Sequence, residues 1–152
     1  ARLRRATNVN ILGSGRFIAG EIVIFGRRAR NEKFTTGLLH EAWLVREDGA
    51  LAWVESFHLD GDVGGVISDC HAFGNAAAIA TVVYGGLDAK RRLAFAKKVV
   101  ESGAATCVGN FLIARFVDTD AARLRTSVAQ YWIKLRSEFD GLPEVLPRVW
   151  ET

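Results

Sequence analysis

Short apolar runs, separated by glycines or by clusters of charge, recur from residue 7 to residue 117. Residues 7–12 alternate between polar and apolar side chains, and residues 21–25 end in a β-branched run followed by a glycine. Residues 76–84 and 107–117 repeat this pattern. Runs of this length between turn residues are typical of strands. We therefore expect a chain built mainly of strands, with residues 21–25 forming a buried one.

The strongest local signal is a hairpin formed by residues 38–45 and 51–59. Asp48-Gly49 lies between these two apolar runs, and Asp-Gly is a preferred pair for a two-residue hairpin turn. Simple alternation from that turn puts Trp43 and Trp53 on opposite faces of the hairpin. Both faces would then be apolar. We expect the hairpin to lie inside a larger β structure or to be covered by another chain.

Helical periodicity appears in two segments near the C-terminus. Asp88 precedes an amphipathic segment at 89–101 that Gly103 would end, and Asp118 or Thr119 precedes a second segment at about 120–138. Residues 59–65 are rich in turn residues and predict a break. The pattern predicts a mainly β fold of stacked strands with two amphipathic helices near the C-terminus. At 152 residues, 1–152 is expected to form a single domain.

Charge and composition argue against nucleic acid and membranes as partners. The net charge is only +3, although residues 1–30 hold seven arginines and one acid. This small excess, with no recognisable nucleic-acid-binding motif, predicts no nucleic-acid partner. No apolar run has the length of a membrane span, so we expect no membrane association. Two cysteines predict reduced thiols in a cytoplasmic protein, with a single disulfide as the alternative.

The segment after residue 26 combines positive charge with one aromatic side chain. Arg27 and Arg28 follow a predicted strand, and Glu32 and Phe34 come shortly after them. We interpret these four residues as candidates for docking a protein partner, together with the tryptophans of the hairpin. The alternative is a solvated connection in which Arg27 pairs with Glu32.

Metal-binding or nucleophilic side chains are adjacent at one place, Asp69-Cys70-His71. Thiolate, imidazole and carboxylate together can hold a transition ion. Adjacent strand residues point to opposite faces, however, so a buried thiol beside a hydrogen-bonded histidine is the competing interpretation. His58, Cys70 and His71 remain weak metal candidates. His40 and His58 lie in the hairpin, where a structural role or a transient metal path is expected.

Several short landmarks occur in one order along most of the chain. They are Glu21, Gly26-Arg27, Glu32-x-Phe34-x-x-Gly37, Arg46-x-Asp48-Gly49, residues 112–116 and Pro147-Arg148-x-Trp150. This ordered set resembles the C-terminal half of urease accessory proteins of the D type, called H in some bacteria. The chain contains no methionine and begins at Ala1, which we interpret as a processed chain or a fragment of a longer protein of this type.

The resemblance implies a solenoid-like, β-rich body and a function that is not enzymatic. It implies a cytoplasmic scaffold that binds apo-urease together with the F-type accessory protein and the G-type GTPase, and assists delivery of nickel. No tightly bound cofactor is expected, although nickel is expected to bind transiently. Two other classes remain open from the residues alone: a small enzyme using Cys70 and His71, and a small basic nucleic-acid-binding module.

Overall fold

The computed structural model describes residues 1–26 and 32–150, excepting the side chain of residue 149. Strands account for 44% and helices for 27% of the structure, so the predicted mainly β class with helices near the C-terminus is confirmed. The strands are β1 Arg2–Ile11, β2 Phe17–Ile24, β3 Gly37–Glu47, β4 Ala50–Gly61, β5 Ala78–Gly85, β6 Gly103–Val108 and β7 Phe111–Asp118. The helices are α1 Val63–Ser68, α2 Ala89–Val99 and α3 Ala121–Asp140, followed by a short 3-10 helix at Arg148–Trp150.

The strands form two sheets that pack face to face. The three-stranded sheet has the order β1-β3-β4, in which β1 and β3 run parallel. The four-stranded sheet has the order β2-β5-β7-β6 and is antiparallel throughout. One face of this second sheet packs against α2 and α3, and the other faces the three-stranded sheet. None of the described helices is long and apolar enough to span a membrane.

The hairpin between β3 and β4 forms at the predicted turn but with a different register. Asp48 and Gly49 both have positive φ, as the tight turn requires. A bulge then shifts the pairing, so that Trp53 lies opposite Val45. The predicted separation of the two tryptophans is therefore wrong: Trp43 and Trp53 share one buried face. The other face is mixed: His40, His58 and Ser56 lie on it together with Leu44 and the exposed Val54.

Two further sequence predictions need correction. Residues 59–65 are not a simple break, because Asp62 caps the short helix α1 and accepts a hydrogen bond from Gly65 N at 2.9 Å. Six residues that include two glycines carry little helical signal, which explains why only two helices are expected from the sequence. The strand predicted at 21–25 belongs to the sheet-edge strand β2 and is only partly buried, with Ile24 exposed and Phe25 buried just beyond it.

The two longer helices follow their predicted apolar stripes. Leu124, Val128 and Leu135 of α3 are buried on the four-stranded sheet. Its N-cap is Asp120 rather than Asp118 or Thr119, and the left-handed Gly141 ends it. Helix α2 stops at Val99, so the residue predicted to end it, Gly103, instead opens β6.

Asp88 connects α2 to the sheet and to α3 through a set of polar contacts. Its side chain does not cap α2 but accepts hydrogen bonds from the Tyr84 hydroxyl and the Arg92 guanidinium. Arg92 stacks over the Phe139 ring at 4.3 Å and donates to the Phe139 carbonyl near the end of α3. Arg16 donates to the same carbonyl. Burial alone would raise the pKa of Asp88, but the hydrogen bonds from Tyr84 and Arg92 lower it.

We predict that Asp88→Asn lowers the free energy of unfolding by about 1–2 kcal/mol at pH 7, since it weakens charge-assisted hydrogen bonds. Because the pKa of Asp88 is lower in the folded chain, this stabilisation is complete above the unfolded-state pKa of about 3.9 and is lost as the pH falls through the folded-state value. Urea unfolding measured from pH 7 down to pH 3 tests this. The exposed Glu138→Gln on α3 is the control, and an equal loss in both variants would contradict the prediction.

Candidate functional site

A layer of charged side chains crosses the interior between the two sheets. It consists of Arg5, Glu21, Glu41, Glu55 and Arg115, and we call it the charged layer. Apolar clusters flank it on both sides. One is built around Trp43, Trp53 and Phe111, and the other around Phe25, Leu39 and Leu59. The charged layer therefore interrupts a core that is otherwise apolar.

Strand register brings these five residues together from distant parts of the sequence. Arg5 lies opposite Glu41 in the parallel pair β1–β3. In the four-stranded sheet, Glu21, Thr81 and Arg115 form one row across β2, β5 and β7. Side chains directly opposite on neighbouring strands point to the same face. The four-stranded sheet thus presents a polar row to the other sheet, in which Glu55 lies opposite Trp43, two residues along β4 from the position opposite Glu41.

Arg5 links the two sheets at one end of the charged layer. Its Nε donates to Glu41 Oε2 at 2.6 Å, and its Nη2 donates to Glu21 Oε2 at 2.9 Å. The other oxygen of Glu21 accepts a hydrogen bond from Trp43 Nε1 at 2.9 Å. Burial lowers the pKa of the Arg5 guanidinium, but its contacts with Glu41 and Glu21 outweigh this and raise it. The guanidinium therefore stays charged between its two carboxylates.

Glu41 is the most deeply buried member of the charged layer, with 3% of the side chain exposed. Its Oε2 is held by Arg5, whereas within the described residues its Oε1 has no hydrogen-bond partner. An unpaired buried carboxylate oxygen is costly, since water is lost without a replacement. Such an oxygen is a candidate ligand for a cation or a bridging donor.

The second end of the charged layer opens into a groove. Arg115 pairs with Glu55 across the sheets. Glu21, Glu55 and Arg115 line a groove of about 380 Å³, together with apolar side chains such as Phe57. A separate groove of about 310 Å³ is lined by Arg5 and Glu41. The charged layer is thus reached from two grooves.

The arrangement is rich in oxygen ligands and carries a small excess of negative charge. Three carboxylates face two guanidinium groups. The arginines extend to the surface, with 45% of the Arg5 and 57% of the Arg115 side chain exposed, while the carboxylates are more deeply buried. A divalent cation that entered this layer would meet carboxylate oxygens and would have to compete with the arginines for them.

Comparison with known proteins identifies the family. The model of the UreD urease accessory protein family matches residues 1–151. The chain belongs to the UreD urease accessory protein family. The UreD of Magnetococcus marinus is 35% identical over 159 residues, covering 99% of this chain and 55% of that protein. The UreD of Granulibacter bethesdensis is 33% identical over 154 residues, covering 99% of this chain and 64% of that protein. The chain thus spans between about half and two thirds of these curated relatives.

The docking candidates lie in different environments in this UreD-family chain. Trp43 and Trp53 are buried between the sheets with ring centroids 6.3 Å apart, so both contribute to the core. Glu32 is exposed, and Phe34 is partly buried beside a groove of about 550 Å³ next to α1. Arg27 and Arg28 lie outside the described residues. Docking through these positions stays a prediction.

The weak metal candidates do not meet at one point. Cys70 and His71 are exposed in the turn after α1, which makes the alternative of a buried thiol wrong. His71 N instead donates to Asp69 Oδ1 at 2.7 Å, closing a local turn. His58 lies on β4, opposite His40. In the described ranges 1–26 and 32–150, no three potential ligands are grouped for a metal ion, and both cysteines are free thiols.

The sequence alone does not predict the charged layer as a site, although Glu21 is one of the residues that carry the family resemblance. One signal was available. Glu41 occupies an inward position in the alternation of Leu39, Trp43 and Val45, where an apolar residue is expected. An acidic residue at a position that alternation places on the buried face predicts a basic or hydrogen-bonding partner inside the protein. The identity of that partner, Arg5, depends on the parallel pairing of β1 with β3, which no local pattern specifies.

We predict that Trp43→Phe destabilises the chain by about 1 kcal/mol more than Trp53→Phe. Both indoles are buried in the same cluster and both substitutions remove a similar volume. Only the Trp43 indole donates a hydrogen bond to the charged layer, through Glu21. Chemical denaturation of the two variants measures the difference. Equal destabilisation would show that the hydrogen bond to Glu21 makes no net contribution.

Proposed function

We propose that this chain is part of a cytoplasmic scaffold for urease maturation, which binds apo-urease together with the F-type accessory protein and the G-type GTPase and assists insertion of nickel. It acts without catalysis and holds nickel only in passage. Membership of the UreD urease accessory protein family supports the accessory role. The observation that carries the proposal for nickel is the charged layer.

Buried charge argues for a role beyond stability. A buried ion pair is frequently no more stable than apolar side chains of the same size, because removing charges from water is expensive. Glu41 adds an oxygen without a partner among the described residues to this cost. We infer that the charged layer serves to offer oxygen ligands to a cation.

The ligand chemistry suits an ion in transit. Nickel binds imidazole and thiolate well, whereas carboxylate oxygens are weaker ligands for it. A path lined by Glu21, Glu41 and Glu55 would therefore hold nickel loosely. Arg5 and Arg115 would compete for the same oxygens and help to release the ion. A tight site would keep the ion instead of passing it on.

The scaffold role is tested by capture. The immobilised protein is mixed with apo-urease and the F-type and G-type proteins, and nickel-dependent urease activity is measured with and without it. We expect capture of these proteins and loss of activation when the protein is left out. Capture of none of them, with activation unaffected, would rule out the scaffold role.

The role of the charged layer is tested by Glu41→Gln, which keeps the shape of the side chain and its contact with Arg5 but removes a charged oxygen ligand. We expect capture of partners to be unchanged and the rate of urease activation to fall by about tenfold, as for other changes around a metal ligand. The control is Glu138→Gln, an exposed carboxylate on α3. Thermal unfolding of both variants confirms that the fold is intact. Activation at the wild-type rate in Glu41→Gln would contradict passage through the charged layer.

A further inference from the structure

Two histidines face each other on the outer side of the three-stranded sheet, away from the charged layer. His40 on β3 is directly opposite His58 on β4. Neighbouring Glu41 points inward, so alternation directs His40 outward. The ring centroids of His40 and His58 are 5.2 Å apart and the rings are inclined by 69°. His58 is exposed and His40 is partly exposed, so a solute can reach the pair.

The spacing of the rings matches that of two imidazoles bound to one ion. An imidazole nitrogen binds a divalent transition ion at about 2.1 Å, which puts the centre of the ring about 3.2 Å from the ion. Two such rings have centroids about 4.5–5.3 Å apart when their angle at the ion lies between square and tetrahedral values. The observed 5.2 Å falls within this range. Chelation therefore requires little movement of either strand.

The surroundings of the pair are polar and carry charges of both signs. His40 Nε2 is 3.2 Å from Ser56 Oγ, so this ring nitrogen lies within hydrogen-bonding distance of a hydroxyl. Asp60 follows His58 by two residues on the same strand face, and Arg4 is opposite His40 on β1. The carboxylate favours a cation nearby, whereas the guanidinium opposes it. Water would supply the remaining ligands.

We propose that His40 and His58 form a two-imidazole surface site for a divalent transition ion of the class that prefers nitrogen ligands, such as Ni²⁺, Cu²⁺ or Zn²⁺. The site is separate from the carboxylates of the charged layer. Two donors fixed on paired strands bind better than either alone, because the second bond forms within one molecule. With two protein ligands the site is weak and its ion exchanges readily. Binding by the pair does not depend on a role in urease maturation.

The chain provides its own control, because it contains three histidines and only two of them are paired. Ni²⁺ is titrated into the protein and into His40→Ala, His58→Ala and His71→Ala variants, with affinity measured by calorimetry. We expect each of the first two substitutions to weaken binding by about tenfold or more, and His71→Ala to leave it unchanged. Zn²⁺ titration followed by NMR is expected to shift the imidazole signals of His40 and His58 but not of His71.

The opposite pattern overturns the proposal. If His40→Ala and His58→Ala bind Ni²⁺ as the unmodified protein does, or if His71→Ala loses as much affinity as they do, the pair is not the site. Circular dichroism of each variant checks that the strands remain paired. Glu41→Gln in the same titration separates the two regions: retained affinity supports an independent histidine site, and its loss assigns binding to the charged layer instead.

Discussion

Where the two sheets face each other, the charged side chains between them are matched by opposite charges. Arg5 contacts Glu41 on its own sheet and Glu21 on the other, and Arg115 reaches across to Glu55. Removing Arg5 would leave the Glu41 carboxylate, which is 3% exposed, without its charged partner, and an unpaired buried charge is costly. Arg5 also holds Glu21, whose other oxygen accepts the hydrogen bond from the Trp43 indole.

The charged layer is held between rigid apolar clusters and can still be reached from solvent. The apolar clusters on either side fix the sheets relative to each other. Between these clusters, charged side chains line a groove that is open to solvent. A carboxylate between closely packed clusters cannot move far, so its oxygens remain available in a defined position. A scaffold that handles an ion without keeping it would benefit from such preorganised but weak ligands.

Local features of the sequence predicted much of the fold, while non-local ones did not. The apolar run at 76–84 with its β-branched end, the Asp48-Gly49 turn and the α3 stripe are each encoded within a short stretch of sequence, and each is present. The bulge near Val45 left no local signal, yet it decides that both hairpin tryptophans face inward. The charged layer depends on pairing between strands far apart in sequence, so its members were visible individually but not as a group.

The parallel pairing of β1 with β3 has a consequence for how the chain reaches this structure. Between these two strands the chain leaves for the other sheet, contributes β2, and returns. Neither sheet is therefore made from one uninterrupted segment, and pairing β1 with β3 closes a loop that contains β2. Closing loops of this length before native contacts form slows folding. This exchange of strands makes the contacts of each sheet non-local in sequence, which predicts slower folding than a chain of successive hairpins would show.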